Sequence, residues 1–300
     1  MNPISAIIVA KDNPLHIIEA VESIKDFVKE IIVVDLGINP ELKKKLSTYP
    51  MLQFNVKLKQ VSYVELIREE LKEQAKEKWV LFLDPDEVLT KELKKELSEN
   101  MQNCDYFSIP RKNIIFGAWI QHSRWWPDYQ VRLFKKDAVV WLTEIHKQPA
   151  TSGKEYKVAE NESLAIVHYN YESLDEYFSK ALRYAKAEAS EKIKISSYSL
   201  TLAVKNALSE FISRFFAFDG YKDGMHGFVL AFLQMFYSFL VYFYWWELKK
   251  YPITEVNKLT SEINAFFADG LFETQYWTNN KGIKKTNLKG KLLARLLKSK

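Results

Sequence analysis

The chain has little of the residues that form disulfides, flexible turns and secretion signals. Its single cysteine, Cys104, excludes an internal disulfide and fits a reducing compartment. Nine glycines and nine prolines are few for 300 residues, and no tandem repeat or low-complexity tract occurs in the first 280. The amino terminus lacks a basic segment before its short apolar run, so we do not expect secretion. A hydrophobic content of 47% predicts a sizeable buried core.

Excess positive charge is confined to the last 20 residues. Residues 281–300 carry eight lysines and arginines and no acid, so an overall charge of +5 leaves −3 for the rest. A slightly acidic body argues against a broad nucleic-acid footprint, and we expect no nucleic-acid partner. Leucines recur at helical spacing among these lysines, a pattern typical of a helix on an acidic membrane surface. A solvated, frayed terminus is the alternative.

Apolar runs alternate with helical patterns in the first half of the chain. The runs predict strands over 5–10, 30–35, 54–61 and 79–84. Helical spacing follows the first run, and a charged helical stretch covers 65–78. Because strands that alternate with helices form right-handed crossovers, the pattern predicts an α/β fold with a mostly parallel sheet.

Carboxylates follow two of these predicted strands directly. Asp35 ends the second strand, and Asp84-Pro85-Asp86 ends the fourth. Ligands of parallel sheets gather at the carboxyl ends of the strands. Asp84 and Asp86 could therefore hold a divalent cation that neutralises the diphosphate of a nucleotide. A polar turn that caps a strand is the alternative for this short motif.

Tryptophan and arginine are concentrated between Tyr106 and Trp141. Trp125 and Trp126 are adjacent, so they cannot both face one side of a strand. We expect this pair and Arg132 to contact an acceptor, because aromatic faces stack on sugar rings and arginine holds acidic groups. Buried aromatic core is the competing interpretation, and we favour it for Trp141.

The chain after residue 171 is predicted to be mostly helical, beginning with a capping box at Ser173. Phe228 to Trp246 is a run of nineteen residues without a charge, ten of them aromatic, and just reaches the length of a membrane span. A single crossing would separate the amino-terminal domain from the lysine-rich tail. A re-entrant or interfacial segment therefore fits better, with a buried core helix as the alternative.

Five motifs in order resemble those of inverting glycosyltransferases of the GT-A fold, within them the bacterial subgroup of lipopolysaccharide-core β-1,4-glucosyltransferases. The resemblance covers Ile4 to about Glu247. Its motifs are Val33-Val34-Asp35, Val80-Leu81-Phe82-Leu83-Asp84-Pro85-Asp86-Glu87, Trp126-Pro127-Asp128-Tyr129-Gln130-Val131-Arg132-Leu133-Phe134, Val167-His168-Tyr169-Asn170-Tyr171 and Asp223-Gly224-Met225-His226-Gly227-Phe228.

The resemblance implies a Rossmann-like GT-A domain over 1–171 that binds a nucleotide sugar and carries the catalytic residues. A helical, membrane-associating region would follow at 172–280, with a basic amphipathic tail at 281–300. The implied activity is transfer of a hexose, with inversion, from a UDP-sugar to a lipid-linked or lipopolysaccharide-type saccharide. We expect this activity in the cytoplasm, at the inner face of the cell membrane.

The resemblance also implies roles for individual residues. Asp86 would ligate Mg²⁺ or Mn²⁺ on the diphosphate. His146 and His168 could complete the metal shell, because imidazole tolerates manganese, whereas a hydrogen-bonded histidine in a half-buried strand is the alternative. The residues expected to bind the donor are Asp12, Asp35 at the base, Arg68 near the base or phosphates, and Asp84 near the ribose.

An inverting transfer needs a general base for the acceptor hydroxyl. The candidates are Asp128 and Glu144, with Glu87 as a further one. Related chains have Val-His-Glu where this one has Ile145-His146-Lys147, so Asp128 or Glu144 takes the role or activity is lost. Loss would leave a glycan- or nucleotide-binding protein on the same fold. A nucleotidyltransferase, the third alternative, would need a glycine-rich loop after the first strand, and Lys11-Asp12-Asn13-Pro14 has none.

Overall fold

The protein alternates strands and helices in its first half and is helical in its second half. The computed structural model describes residues 2–55, 67–141, 149–194 and 198–283. The strands are β1 (Ile4–Lys11), β2 (Glu30–Leu36), β3 (Leu52–Asn55), β4 (Trp79–Phe82), β5 (Glu87–Leu89), β6 (Tyr106–Ile115), β7 (Ala118–Trp119), β8 (Asp128–Lys135), β9 (Val139–Val140), β10 (Ala150–Thr151), β11 (Glu155–Lys157) and β12 (Ile166–Tyr171). The α-helices are α1 (Ile17–Ile24), α2 (Pro40–Leu46), α3 (Arg68–Glu73), α4 (Lys91–Asn100), α5 (Leu174–Lys192), α6 (Leu200–Ile212), α7 (Gly224–Leu248) and α8 (Val256–Asn280).

The chain divides into two compact units. The first, the sheet unit, comprises Met1–Ile114 and Trp126–Asn170. The second, the helical unit, comprises Ile115–Trp125 and the described part of the chain from Tyr171 onwards. The short segment 115–125 thus belongs with the helices that follow it much later in the sequence.

A parallel half and an antiparallel half make up the central sheet, whose strand order is β3-β2-β1-β4-β8-β6-β12-β5. β1 pairs in parallel with β2 and β4, and β2 pairs in parallel with β3. β8 then runs antiparallel to both β4 and β6. The parallel half therefore reverses its winding between β1 and β4, the position at which α/β sheets bind ligands.

The sheet is buried on both faces. Successive residues of β1 alternate between two apolar clusters, with Ile8 in one and Ile7 in the other. α1 and α4 cover the first face through residues such as Ile24 and Leu93. On the second face, Leu71 of α3 packs with the strands. This burial explains why the strands appear in the sequence as uninterrupted apolar runs.

The predicted α/β fold, with a central sheet, flanking helices and a helical carboxyl-terminal region, is confirmed. Among the described residues 67–78 of the predicted charged helix, the helix covers Arg68–Glu73 and is shorter than expected. The described part of the third strand is Leu52–Asn55. Residues 56–66, which include the rest of that predicted strand, lie outside the described residues. Asp84 lies in the turn after β4, since that strand ends at Phe82.

The helical unit is organised around α7, which packs against α5 and α6. The predicted capping box begins α5, because Ser173 accepts from the Glu176 amide and Glu176 accepts from the Glu172 amide. At the start of α7, Asp223 accepts from the His122 amide at 2.9 Å and fixes the segment 115–125. Among the described residues, one helical stretch, Gly220–Leu248, is long and apolar enough to cross a membrane, a test that core helices also pass.

Two glycines let the turn before α7 pack closely on the helix itself. A Cβ atom at Gly227 would lie 1.8 Å from the carbonyl oxygen of Gly220. A Cβ at Gly220 would in turn lie 2.2 Å from Ser123 Oγ and 2.6 Å from the Arg214 carbonyl oxygen. Backbone cannot yield to such contacts as a flexible side chain can, so both positions require glycine.

We predict that Gly227→Ala destabilises the protein by about 3 kcal/mol or more, because overpacking against backbone forces the chain to shift. Urea unfolding followed by circular dichroism measures the loss. Gly270→Ala is the matched control within α8, where the nearest atom is Leu208 Cδ1 at 3.4 Å. There the higher helix propensity of alanine should leave stability unchanged or raise it by up to about 1 kcal/mol. Similar losses for both variants would contradict the close contact.

Candidate functional site

The candidate site lies at the carboxyl ends of the parallel strands, where the loops after β1 and β4 leave the sheet in different directions. Asp12 follows β1, Asp35 lies at the end of β2, and Asp84 and Asp86 follow β4. Asp12 is exposed and adopts a left-handed backbone conformation with φ 58°. Parallel pairing thus brings all four predicted carboxylates to one edge of the sheet.

Asp35 is held in a turn by its own backbone neighbours. Its Oδ1 accepts from the amides of Gly37 at 3.0 Å and Ile38 at 2.9 Å, and Lys43 Nζ donates to Oδ2 at 2.9 Å. Burial by itself would raise the pKa of Asp35, but the bond from Lys43 and the two amide bonds outweigh it and lower the pKa below its usual value. Asp35 is therefore a fixed carboxylate, with Lys43 as the partner of its outer oxygen.

Asp84 and Glu87 share a buried arginine. Arg132 Nη2 donates to Asp84 Oδ2 and, at 2.6 Å, to Glu87 Oε1. Arg68 Nη2 also donates to Asp84 Oδ1 at 3.2 Å. The Glu87 side chain is 0% exposed and that of Arg132 is 2% exposed. Burial opposes the charged form of Asp84, yet Arg132 and then Arg68 hold the pKa of this carboxyl well below its usual range.

The ion pairs continue from Glu87 to Asp128 through Arg111. Arg111 Nη1 donates to Glu87 Oε1 at 3.2 Å, and Arg111 Nε donates to Asp128 Oδ2 at 2.9 Å. Asn113 adds a bond to Asp128 Oδ2 at 3.2 Å, whereas Oδ1 accepts from Gln130 at 2.9 Å. We call the linked set the charge network; its members are Arg68, Asp84, Glu87, Arg111, Asp128 and Arg132.

Asp86 lies beside a histidine. Its Oδ1 lies 3.7 Å from His168 Nε2, and its carbonyl oxygen accepts from the Tyr169 amide at 2.8 Å. His168 Nδ1 lies 2.6 Å from Asn113 Oδ1, which can only accept, so Nδ1 carries the proton. Asn113 thereby joins the surroundings of Asp86 to the charge network.

A stacked aromatic pair connects the loop after β1 with β12. The rings of His16 and Tyr169 lie 4.1 Å apart with an angle of 15° between their planes. Since the Tyr169 amide also holds Asp86, the stack ties the two loops that leave β1 and β4. Neither residue was a sequence candidate.

The metal-ligating atoms around Asp86 suit a metal ion that is also bound by phosphate oxygens of a nucleotide. In the described ranges no three His, Cys, Asp or Glu side chains are grouped to hold an ion. Asp86 and His168 nevertheless supply two donors, and Mg²⁺ at nucleotide sites commonly takes one or two carboxylates plus phosphate oxygens. Asp84 does not suit this role, because arginines bind both of its oxygens. His146, the expected second ligand, lies outside the described residues.

Arg68 and Arg132 are largely buried, unlike an ordinary surface arginine. The Arg68 guanidinium lies 4.6 Å from the centre of the Trp141 ring and belongs to the site edge. Trp141 itself is buried with Phe82, as predicted for a core residue. Arg132 was expected to contact an acceptor, and this expectation needs correction, because its buried guanidinium is bound to Asp84 and Glu87.

The three remaining candidate residues do not form one group in the described structure. Trp125 belongs to the helical unit and packs against an apolar cluster that contains Ile120 and Leu230. Trp126 is half-buried in the sheet unit and is joined to Pro127 by a cis peptide bond. Glu144 lies outside the described residues, so the structure provides no geometry for it.

Sequence reasoning expected Arg111 in the region that contacts an acceptor and missed both its ion pairs and Asn113, although a signal for them exists. Arg111 and Asn113 lie two positions apart on β6, so both face one side of that strand. The register pairs Arg111 with Asp128 directly. Polar residues at alternate positions of otherwise apolar strands mark such a network.

Comparison with known proteins finds no family model that matches the chain. The chain is 27% identical over 257 residues to an uncharacterized glycosyltransferase of Rickettsia felis, covering 75% of this chain and 85% of the relative. Among solved structures it is similar to S. aureus TarS 1-349, with a TM-score of 0.42, 15% identity, and coverage of 78% of this chain and 80% of that one. The complex of TarS 1-349 with UDP-GlcNAc has a TM-score of 0.37, 17% identity, and coverage of 77% and 81%.

We predict that Arg132→Met costs about 3–5 kcal/mol of unfolding free energy, because it leaves Glu87 buried without its main partner. Adding Glu87→Gln should recover part of the loss, since the uncompensated charge is then removed. Lys112→Met is the matched control on β6. Its partner Glu162 has a 57% exposed side chain, and surface pairs contribute at most about 1 kcal/mol. Urea unfolding compares the variants, and equal costs for Arg132 and Lys112 would contradict the prediction.

Proposed function

We propose that the protein is an inverting glycosyltransferase that moves a hexose from a UDP-sugar to a lipid-linked or lipopolysaccharide-type saccharide. The observation that carries this proposal is the convergence of Asp35, Asp84 and Asp86 at the point where the parallel sheet reverses its winding. The similarity to a Rickettsia felis protein named as a glycosyltransferase supports the choice of reaction.

In this proposal the edge of the sheet binds the donor. Asp35 contacts the base, and Asp84 contacts the ribose through the oxygen faces that its arginines leave accessible, since its side chain is 33% exposed. Arg68 neutralises Asp84 and lies toward the base and phosphates. Asp12, exposed on the neighbouring loop, completes the donor-binding set. Positive charge beside a diphosphate is favourable, which explains why arginine rather than a neutral donor accompanies Asp84.

Asp86, with His168 beside it, would hold Mg²⁺ or Mn²⁺ against the diphosphate. When bound, the metal would neutralise the negative charge that develops on UDP as it leaves. The protein's part is to orient Asp86, which it does by holding the Asp86 carbonyl oxygen with the Tyr169 amide and His168 with Asn113.

Inversion requires that a base remove the proton of the acceptor hydroxyl as the new bond forms. Within the described residues Asp128 is the best placed, because Glu87 has a fully buried side chain bound by two arginines. Its Oδ2 accepts from Arg111 and Asn113, whereas Oδ1 accepts from Gln130. We propose that Asp128 Oδ1 takes the proton, with Glu144 as the alternative base.

We place the reaction in the cytoplasm, at the inner face of the cell membrane. A lipid-linked acceptor is confined to a membrane, and the long apolar helix α7 and the basic residues 281–300 support attachment there. Trp126 is the remaining aromatic candidate in the sheet unit for contact with the acceptor sugar.

We predict that the protein binds UDP more tightly with Mn²⁺ than without it, and that Asp86→Ala removes about 10- to 100-fold of the metal-dependent affinity. Isothermal titration calorimetry with UDP, with and without Mn²⁺, measures this difference. Asp26→Ala removes an exposed carboxylate elsewhere in the sheet unit and should leave binding unchanged. Identical Mn²⁺ enhancement in Asp86→Ala and the unaltered protein would reject the proposed metal site.

A second candidate is a glycan- or nucleotide-binding protein that has lost transfer. It is favoured by one observation: both described base candidates, Asp128 and Glu87, are ion-paired to Arg111. Lys147 stands where the resembling family has a glutamate.

If transfer was lost because this position no longer supplies a base, Lys147→Glu should create glycosyl transfer or raise it by about 100-fold or more. Release of UDP from UDP-sugars measures the transfer. Lys147→Gln removes the same positive charge without supplying a base and serves as the control. Transfer by the unaltered protein that Asp128→Asn abolishes would instead favour the enzyme with Asp128 as base.

A further inference from the structure

We propose that helix α7 and the first half of α8 form a membrane face on which the helical unit lies in the plane of one leaflet, in contact with anionic headgroups, without crossing the bilayer. The inference rests on the proposed function only for the choice of a membrane as the site of the acceptor. It goes further in naming the surface, its orientation and the charge of the lipid.

Helix α7 is apolar all round, and protein covers part of its surface. Its buried residues are Gly227, Leu230, Ala231, Leu233 and Val241. Its large exposed side chains are Met225, Phe228, Phe232, Phe243, Trp246 and, at its last position, Leu248. At 3.6 residues per turn the first five fall within an arc of about 60° and extend for about 32 Å. The exposed apolar stripe formed by these five therefore runs along both ends of the helix, and between them Phe239, on the same side, packs on α8.

Helix α8 adds a second stripe of the same kind. Val256, Leu259, Ile263 and Phe267 recur at helical spacing, and all are between 42% and 75% exposed. Ile253, just before the helix, is 100% exposed. α7 and α8 touch through Phe239 and Phe266, whose ring centres lie 6.0 Å apart. Soluble proteins rarely leave two adjoining stripes of this size uncovered.

Charged side chains that contact α7 argue against a helix that crosses the bilayer. At the middle of the helix the Tyr237 hydroxyl donates to Glu188 of α5 at 2.9 Å, and Lys192 lies 3.6 Å from the same glutamate. About two turns later, Lys186 Nζ lies 5.2 Å from the centre of the Tyr244 ring. A bilayer-spanning α7 would carry these charged groups into the hydrocarbon, which is costly. A helix in the interface leaves them in water.

Charge identifies the occupant as an anionic lipid surface instead of a second copy of the chain. α8 ends at Asn280, and the 20 residues that follow carry eight basic residues and no acid. Lys281 begins this segment beside the helical unit, because its Nζ lies 2.7 Å from Asp219 Oδ1. Basic residues next to exposed aromatic stripes are typical of interfacial helices on acidic leaflets. Segments of the same charge on two copies repel each other, whereas an anionic leaflet attracts them.

The first test measures vesicle binding of the full chain by flotation. The probes are vesicles of phosphatidylcholine alone and of phosphatidylcholine mixed with phosphatidylglycerol. We expect preference for the mixed vesicles, and a loss of at least about tenfold in binding for Phe232→Ser/Phe243→Ser. Lys284→Gln should weaken binding to mixed vesicles alone, by about fivefold, the equivalent of about 1 kcal/mol per basic residue. Leu174→Ser, an exposed leucine of α5 away from both stripes, is the control.

The second test measures depth. Fluorophores are attached to Met225→Cys, Phe232→Cys and Phe243→Cys and quenched by lipids labelled at different depths. Cys104 does not interfere, because it is buried and burial raises the pKa of its thiol to about 11. A helix in the plane of the leaflet gives the same shallow depth at all three sites. A crossing helix places the Phe232 label much deeper than the Met225 label and would overturn the orientation.

The inference is also overturned if the folded protein ignores both vesicle types, or if it forms a dimer in sedimentation that shields the three labels without lipid. Vesicle binding is read without any substrate, so it can fail while transfer succeeds. Conversely, bound protein without transferase activity would reject the proposed reaction and leave the membrane face standing.

Discussion

The site depends on Arg132, a buried cation that binds two carboxylates at once. A charge removed from water is tolerated only where partners and hydrogen bonds satisfy it. Arg132 on β8 meets Asp84 and Glu87 at either side of the turn after β4, so the turn is fixed by the antiparallel neighbour of its own strand. Asp86 lies between the two fixed acids, with His168 Nε2 3.7 Å from its Oδ1.

Local sequence pattern predicted the parallel half of the sheet well, for a physical reason. β1, β2 and β4 are buried on both faces, and only uninterrupted apolar runs satisfy that environment. The carboxylates at their ends could be assigned to one edge because parallel strands point the same way. Asp35, Asp84 and Asp86 could therefore be placed before any coordinates were known.

The partners of these acids could not be predicted in the same way. Arg111 and Arg132 approach Glu87 because β6 and β8 pair antiparallel in one particular register, and a shift by one residue would turn both side chains to the other face. The clustering of tryptophan and arginine assigned Arg132 to an acceptor without knowledge of that register. Likewise, the apolar run in α7 did not reveal which side is covered, because its buried and its exposed side chains are both apolar.

Lys43 competes with any ligand that would bind the same oxygen of Asp35, because its ammonium group already donates a hydrogen bond there. Any ligand that donates a hydrogen bond to Asp35 Oδ2 must first displace an ammonium group held 2.9 Å away. The affinity measured for such a ligand is then the intrinsic affinity multiplied by the fraction of molecules in which Lys43 has swung out. In the same position Lys43 Nζ lies 5.0 Å from the centre of the Phe54 ring, a contact that adds to the stability of the closed position. Weak binding at this site would accordingly report the stability of the lysine's closed position as much as the fit of the ligand.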